Sequence, residues 1–169
     1  MGQRTMPAQK PGNSKQSYGT PADFLDAAKR RLGIFQFGLD IAASPSNAVA
    51  ARYFTKKQDC FAQPSWRAPN RQGWSWLNPE FDDIERYAKR CFFERQVNDA
   101  QIAFLTPASV GANWYRDFVH NRAFVLALNG RITFKGQKDP YPKDCILSLF
   151  SPFLAPGFDV WNWNPAGKR

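Results

Sequence analysis

The sequence predicts an α/β domain with a mostly parallel central sheet, flanking helices and an antiparallel hairpin at its C-terminal end. Three observations predict it. Apolar runs without polar alternation, as strands buried on both faces require, occur at 34–43, 74–77 and 102–107. Between such runs lie segments whose apolar residues recur every three or four positions, the period of a helix packed by one face. After Ala123 the pattern changes to short strands, two of them joined through Asn129-Gly130, a dipeptide that readily adopts the positive φ of a two-residue hairpin turn.

A chain of 169 residues can bury roughly two-thirds of its unfolded surface in one core, so a single domain is expected. Residues 1–19 are rich in Gln, Lys, Gly, Pro and Ser without apolar periodicity and read as a loosely attached basic tail; 20–164 form the domain and 165–169 a short basic C-terminal tail. Thr20 suits a helix N-cap, Pro21 the first helical position and Asp23 the first turn. Phe24, Leu25, Ala28 and Leu32 then share a face until Gly33 stops the helix. The run 34–43 reads as a central strand interrupted only by Asp40, and a carboxylate at the carboxyl end of such a strand lies where open α/β sheets bind ligands. Ser44 to Asn47 form a turn, Ala48 to Tyr53 a short helical segment, and 63–73 a loop carrying Arg67 and Arg71. A strand at 74–77 follows. Asp82, Asp83 and Glu85 then open a helix to about Val97 that buries Ile84, Tyr87, Ala88, Cys91 and Phe92. Strands at 102–107, 123–128, 131–134 and 145–150, a helix from Asn113 to about His120 and an edge strand at 158–163 complete the expectation.

Composition narrows the function. Cys60, Cys91 and Cys145 are odd in number and widely spaced, which fits neither a zinc knuckle nor a disulfide framework and suits reduced thiols of a cytoplasmic protein. A lone histidine, His120, gives a histidine-based triad or metal site no partner, so metal-free chemistry is expected. No apolar run approaches the roughly 20 residues of a membrane span, and residues 1–19 lack the hydrophobic region of a signal peptide. The net charge of +9 favours a polyanionic partner, because each neutralised phosphate releases a condensed counterion.

The stretch Trp74-Ser75-Trp76-Leu77-Asn78-Pro79-Glu80-Phe81 concentrates the chemistry. An Asn-Pro-x-aromatic step at the end of a buried strand places an amide oxygen, a proline carbonyl and a ring face around one point, which suits a flat base bearing an amino group. The competing reading is a plain strand end followed by a core helix.

Taken in order, Thr20-Pro21, the segment 39–43 followed by Asn47, Arg52-Tyr53-Phe54-Thr55 with Asp59, Trp76-Leu77-Asn78-Pro79, Leu105-Thr106-Pro107 before Trp114, and residues 129–134 resemble the phage and prophage DNA adenine methyltransferases of the Dam type. The resemblance covers most of 20–163. It implies a Rossmann-like class I methyltransferase fold, S-adenosylmethionine as cofactor, and DNA adenine as acceptor in a bacterial host cell, with no obligate protein partner. Asn78 and the Pro79 carbonyl are then the acceptors for the adenine amino group, and Phe81 the ring that stacks on a base swung out of the duplex. Thr20, Pro21, Asp40, Ala42, Ala43 and Asp59 are carried over to the cofactor side, although Thr20, Pro21, Asp40 and Asp59 also have ordinary local readings as cap, turn or loop residues. Lys56, Lys57, Arg67 and Arg71 are the first candidates for DNA contact, with Arg116, Lys135, Lys138 and Lys143 next.

One position departs from the pattern. Glu80 stands where the family has a second proline, whose ring would lock the loop backbone. It is expected to point away as a helix-start acid beside Asp82 and Asp83. Two rivals follow: a methyltransferase-like DNA-binding or anti-defence protein that has lost catalysis, and an enzyme methylating another amino group.

Overall fold

The strand β3 (Gln101–Pro107) is buried along its whole length and forms the middle of a six-stranded sheet. With β1 (Leu39–Asp40), β2 (Trp74–Leu77), β4 (Phe124–Asn129), β5 (Cys145–Phe150) and β6 (Gly157–Asn162), the order across the sheet is β1-β2-β3-β5-β4-β6. β1, β2 and β3 are parallel, β5 runs against both β3 and β4, and β6 is parallel to β4. The sheet is therefore mixed, with β5 alone opposed to the rest. The computed structural model describes residues 18–70 and 73–164; the tail before Tyr18, Arg71 and the segment 165–169 lie outside the described residues.

Alternation along the strands sends side chains to two layers. On one face, Trp74, Trp76, Ala103, Leu105, Leu126 and Leu147 meet helix α1 (Ala22–Leu32), which buries Phe24, Leu25, Ala27 and Ala28. On the other, Leu77, Ile102, Phe104 and Ile146 meet α2 (Ile84–Val97) and α3 (Asn113–Phe118) through Ala88, Cys91 and Tyr115. Among the described residues, no helix is long and apolar enough to cross a membrane.

Four local expectations are corrected. Pro21, not Thr20, occupies the N-cap position of α1, with φ −69° and ψ 148°, and no side chain caps the helix. At the other end Gly33 adopts φ 67°, the left-handed conformation that glycine takes without penalty, and closes the helix. The run 34–43 yields only the two-residue β1, at the edge of the sheet rather than its centre, while Phe35 is fully exposed. Gly38 passes so close to Ala68 that a Cβ would meet its side chain at 2.8 Å, and the outer edge of Asp40 is covered by a bridge to Tyr53. That bridge also explains why 48–53 is not helical: Arg52 O and Phe54 N bond to the Asp40 backbone.

The Asn129-Gly130 hairpin does not form either. Both edges of β4 are taken, by β5 and β6, so 131–134 has no strand to pair with and instead buries Ile132 and Phe134 in the core. Gly130 is still required, since at φ 109° it approaches the Trp163 indole, whose Nε1 donates to its carbonyl at 2.7 Å. The antiparallel neighbours that follow one another in the chain are β4 and β5, joined by the long segment 130–144.

Candidate active site

The site begins where β1 and β2 end. Their parallel register sets Asp40 beside Trp76, so the residues leaving the two strands, Ile41-Ala42 and Asn78-Pro79, emerge side by side. A cleft of about 860 Å³ opens there, and Thr20, Asp40, Ala42, Lys56, Lys57, Asp59, Asn78 and Glu80 are among the residues lining it. A second cavity of about 400 Å³ adjoins it, lined by Tyr18, Asn78, Pro79, Phe81, Phe134, Gln137, Asp139, Pro140, Tyr141 and Pro142. Asn78 and Tyr18 belong to both. Thr20, Asp40, Ala42 and Asp59 thus line the larger cavity, Pro79 and Phe81 the smaller, and Asn78 lies between them. Pro21 and Arg67 line neither cavity.

Asp40 is buried, with 3% of its surface exposed. Its two carboxylate oxygens accept from Ala42 N at 3.3 Å and Val49 N at 3.1 Å, which pins the 42–49 loop over the cleft. Each oxygen keeps a further lone-pair direction. Burial pushes the carboxyl up to about 6, and these two backbone N–H groups only partly offset it. Asp59 sits between the 3₁₀ turns 56–58 and 60–62 at φ 47°, a strained angle for a residue with a Cβ, and its side chain accepts from Phe61 N at 3.0 Å.

This loop is fastened from below. Glu94, fully buried on α2, accepts from Arg90 Nε at 2.8 Å, Trp66 N at 2.9 Å, Asn98 Nδ2 at 2.8 Å and Ser65 Oγ at 3.2 Å. Arg90 in turn donates to the carbonyls of Phe61 and Gln63. Glu94 carries no signal in the sequence, because an acid on an amphipathic helix normally faces water.

Glu80 does not act as a helix-start acid. Asp83 holds the N-cap position of α2, and Glu80 reaches across the cleft wall to an ion pair with Lys56. The loop that lacks the second proline is tethered by charge instead, and Lys56 already has an anionic partner. Of the second-choice cations, Arg116 pairs with Asp117, while Lys135, Lys138 and Lys143 are exposed on 130–144, the segment that walls the smaller cavity. In that wall Tyr141 meets Phe81 edge-on at 5.8 Å and Phe134 at 5.8 Å. A Pro-rich loop gave no sequence signal for this role.

The thiols offer no nucleophile. Burial pushes Cys60 up to about 11 and Cys145 up to about 12, and holds Cys91 well above its ordinary value. His120 is exposed beside Asn121. Among the described residues, no three His, Cys, Asp or Glu side chains are grouped to hold a metal ion.

The model of the DNA N-6-adenine-methyltransferase (Dam) family matches residues 8–157. The chain belongs to this family. A DNA N-6-adenine-methyltransferase of Escherichia phage T1 is 23% identical over 150 residues, which cover 89% of the chain and 60% of that relative. The chain therefore spans less than two-thirds of the relative's length. The Dam family match runs through both cavities, from before Tyr18 to the start of β6.

Proposed function

We propose that this Dam-family chain transfers a methyl group from S-adenosylmethionine to the exocyclic amino group of adenine in DNA, on a Rossmann-like class I methyltransferase fold. The observation that carries the reading is the pair of cavities that share Asn78. The larger one lies at the carboxyl ends of parallel strands, where α/β sheets bind nucleotide-like ligands, and its buried Asp40 carboxylate suits a cationic or hydroxyl-rich group. The cofactor, when bound, supplies an electrophilic methyl group on a sulfonium. Asp40, Ala42 and Asp59 are the residues that would hold it.

The smaller cavity suits an extruded base. Phe81 and Tyr141 offer ring faces and edges, Pro79, Pro140 and Pro142 exclude water, and Gln137 presents an amide to a ring nitrogen. At the shared wall, the Asn78 side-chain oxygen and the Pro79 carbonyl accept the two N–H bonds of the amino group. The amino lone pair is otherwise delocalised into the ring. Accepting both hydrogens favours a pyramidal nitrogen whose lone pair faces the larger cavity. The transfer as proposed calls on no thiol, since burial keeps the three cysteines protonated. Lys135, Lys138 and Lys143, exposed on the segment that supplies Phe134, Gln137 and Tyr141 to the smaller cavity, would hold backbone phosphates.

Labelled-methyl transfer from S-adenosylmethionine to DNA, followed by nucleoside digestion, tests the reading. Label in N6-methyladenine is the expected result; label only in another nucleoside, or none despite cofactor binding, would overturn it.

Asp40 adds a pH dependence. Its folded-state pKa of about 6 exceeds the ordinary 3.8, so the stability gained by holding the proton is fully present below about pH 4 and lost as pH rises through 6. The loss is on the order of 2–3 kcal/mol. Urea unfolding at a series of pH values should show it in the native protein and not in Asp40→Asn. A cationic cofactor favours the carboxylate, so calorimetric affinity should rise over the same window in the native protein alone.

A further inference from the structure

Among the described residues, the Asn78 amide is held through its nitrogen. Its Nδ2 donates to Thr20 Oγ1 at 3.0 Å and to the Tyr18 carbonyl at 3.4 Å. Those two contacts decide which end of the amide points where. A carbonyl oxygen only accepts, so the group facing Tyr18 has to be the NH₂, and the Thr20 hydroxyl, which could play either part, then acts as acceptor. The side-chain oxygen of Asn78 is turned away from both.

The holder is itself fixed. Thr20 is 3% exposed and leads directly into α1, whose Leu25 N donates to Pro21 O at 3.1 Å. On its other side Gly19 O accepts from Lys135 N at 2.9 Å. The segment 18–20 is thus clamped between α1 and the 130–144 wall, and it runs between the two cavities.

We infer that Thr20 is a positioning residue for methyl transfer: with the Tyr18 carbonyl, its hydroxyl orients the Asn78 amide so that the oxygen, and not the NH₂, meets the acceptor amino group. The inference rests on the reading of Asn78 given above. It assigns the Thr20 side chain to Asn78 rather than to the cofactor, the role the family resemblance suggested. An amide turned the other way would set two donors against each other and would hold the amino group no better than an apolar side chain.

Thr20→Val keeps the shape and removes the hydroxyl, and Thr20→Ser restores it. In ¹H–¹⁵N spectra of the whole protein, the Asn78 side-chain NH₂ signals, assigned by their loss in Asn78→Asp, should be protected from exchange in the native protein and Thr20→Ser. They should move to the positions and exchange rates of a solvent-exposed amide in Thr20→Val. In the transfer assay Thr20→Val should lose about tenfold in kcat, the worth of one neutral hydrogen bond, with KM for S-adenosylmethionine unchanged and kcat recovered in Thr20→Ser. Unchanged Asn78 signals in Thr20→Val, or a raised cofactor KM at native kcat, would overturn the assignment. If the native protein methylates no adenine, the reading of its function fails while the spectra still decide what Thr20 does to Asn78.

Discussion

Asn78→Ala is expected to lower the rate of methyl transfer to DNA by a factor of about 10² to 10³, the usual loss when one preorganised polar contact to a reacting centre is removed. Cofactor affinity should stay close to native, because Asn78 is only one of many residues lining the larger cavity, and Asp40, Ala42 and Asp59 are untouched. Single-turnover transfer of labelled methyl measures the first quantity and calorimetry the second. An effect confined to the chemical step is what an acceptor of the amino hydrogens predicts. A parallel loss of cofactor affinity would instead make Asn78 a wall residue. Full activity in Asn78→Ala would remove it from the reaction.

Glu94→Ala is expected to lower folding stability by about 3–5 kcal/mol, the range for breaking a buried ion pair from one side. The carboxylate is fully buried and takes four donors, so its removal strands the Trp66 N–H, the Asn98 amide and the Arg90 guanidinium together. Equilibrium unfolding in urea gives the value. The loss should extend to the site, since Arg90 also holds the carbonyls of Phe61 and Gln63, next to the loop that carries Asp59. Arg90→Met, which removes the guanidinium lying 5.2 Å from the Trp66 ring centroid but keeps an apolar side chain of similar reach, should fall between native and Glu94→Ala.

What the sequence made legible was local. The strand 74–77, its Asn78-Pro79 ending and the helix that follows were readable because burial, turn chemistry and helix-start acids all lie within one short stretch. The unreadable parts depend on distant partners. Asn129-Gly130 is a sound hairpin signal, and it failed because β5 and β6 compete for both edges of β4. Ile34 to Gly38 look like strand, yet Phe35 points into water because the pairing of β1 begins only after the close approach of Gly38 to Ala68. Composition places Tyr18 in the tail, yet its carbonyl accepts from Asn78 at the shared wall. Tyr141 and Gln137 lie in a stretch whose prolines and lysines read as solvent loop, and only the fold brings them opposite Phe81.

The common wall between the cavities has a thermodynamic corollary. Any coupling between ligands that touch the same side chain is reciprocal: whatever factor an occupant of the larger cavity imposes on the affinity of the smaller, an occupant of the smaller must return to the larger. Asn78 and Tyr18 are the residues through which that reciprocity passes. Since Nδ2 of Asn78 is held by the 18–20 segment, the strength of the exchange is set by how firmly that segment keeps the amide still. A loose wall that the first occupant orders would ease entry of the second, whereas a wall already held still would let each cavity fill without regard to its neighbour.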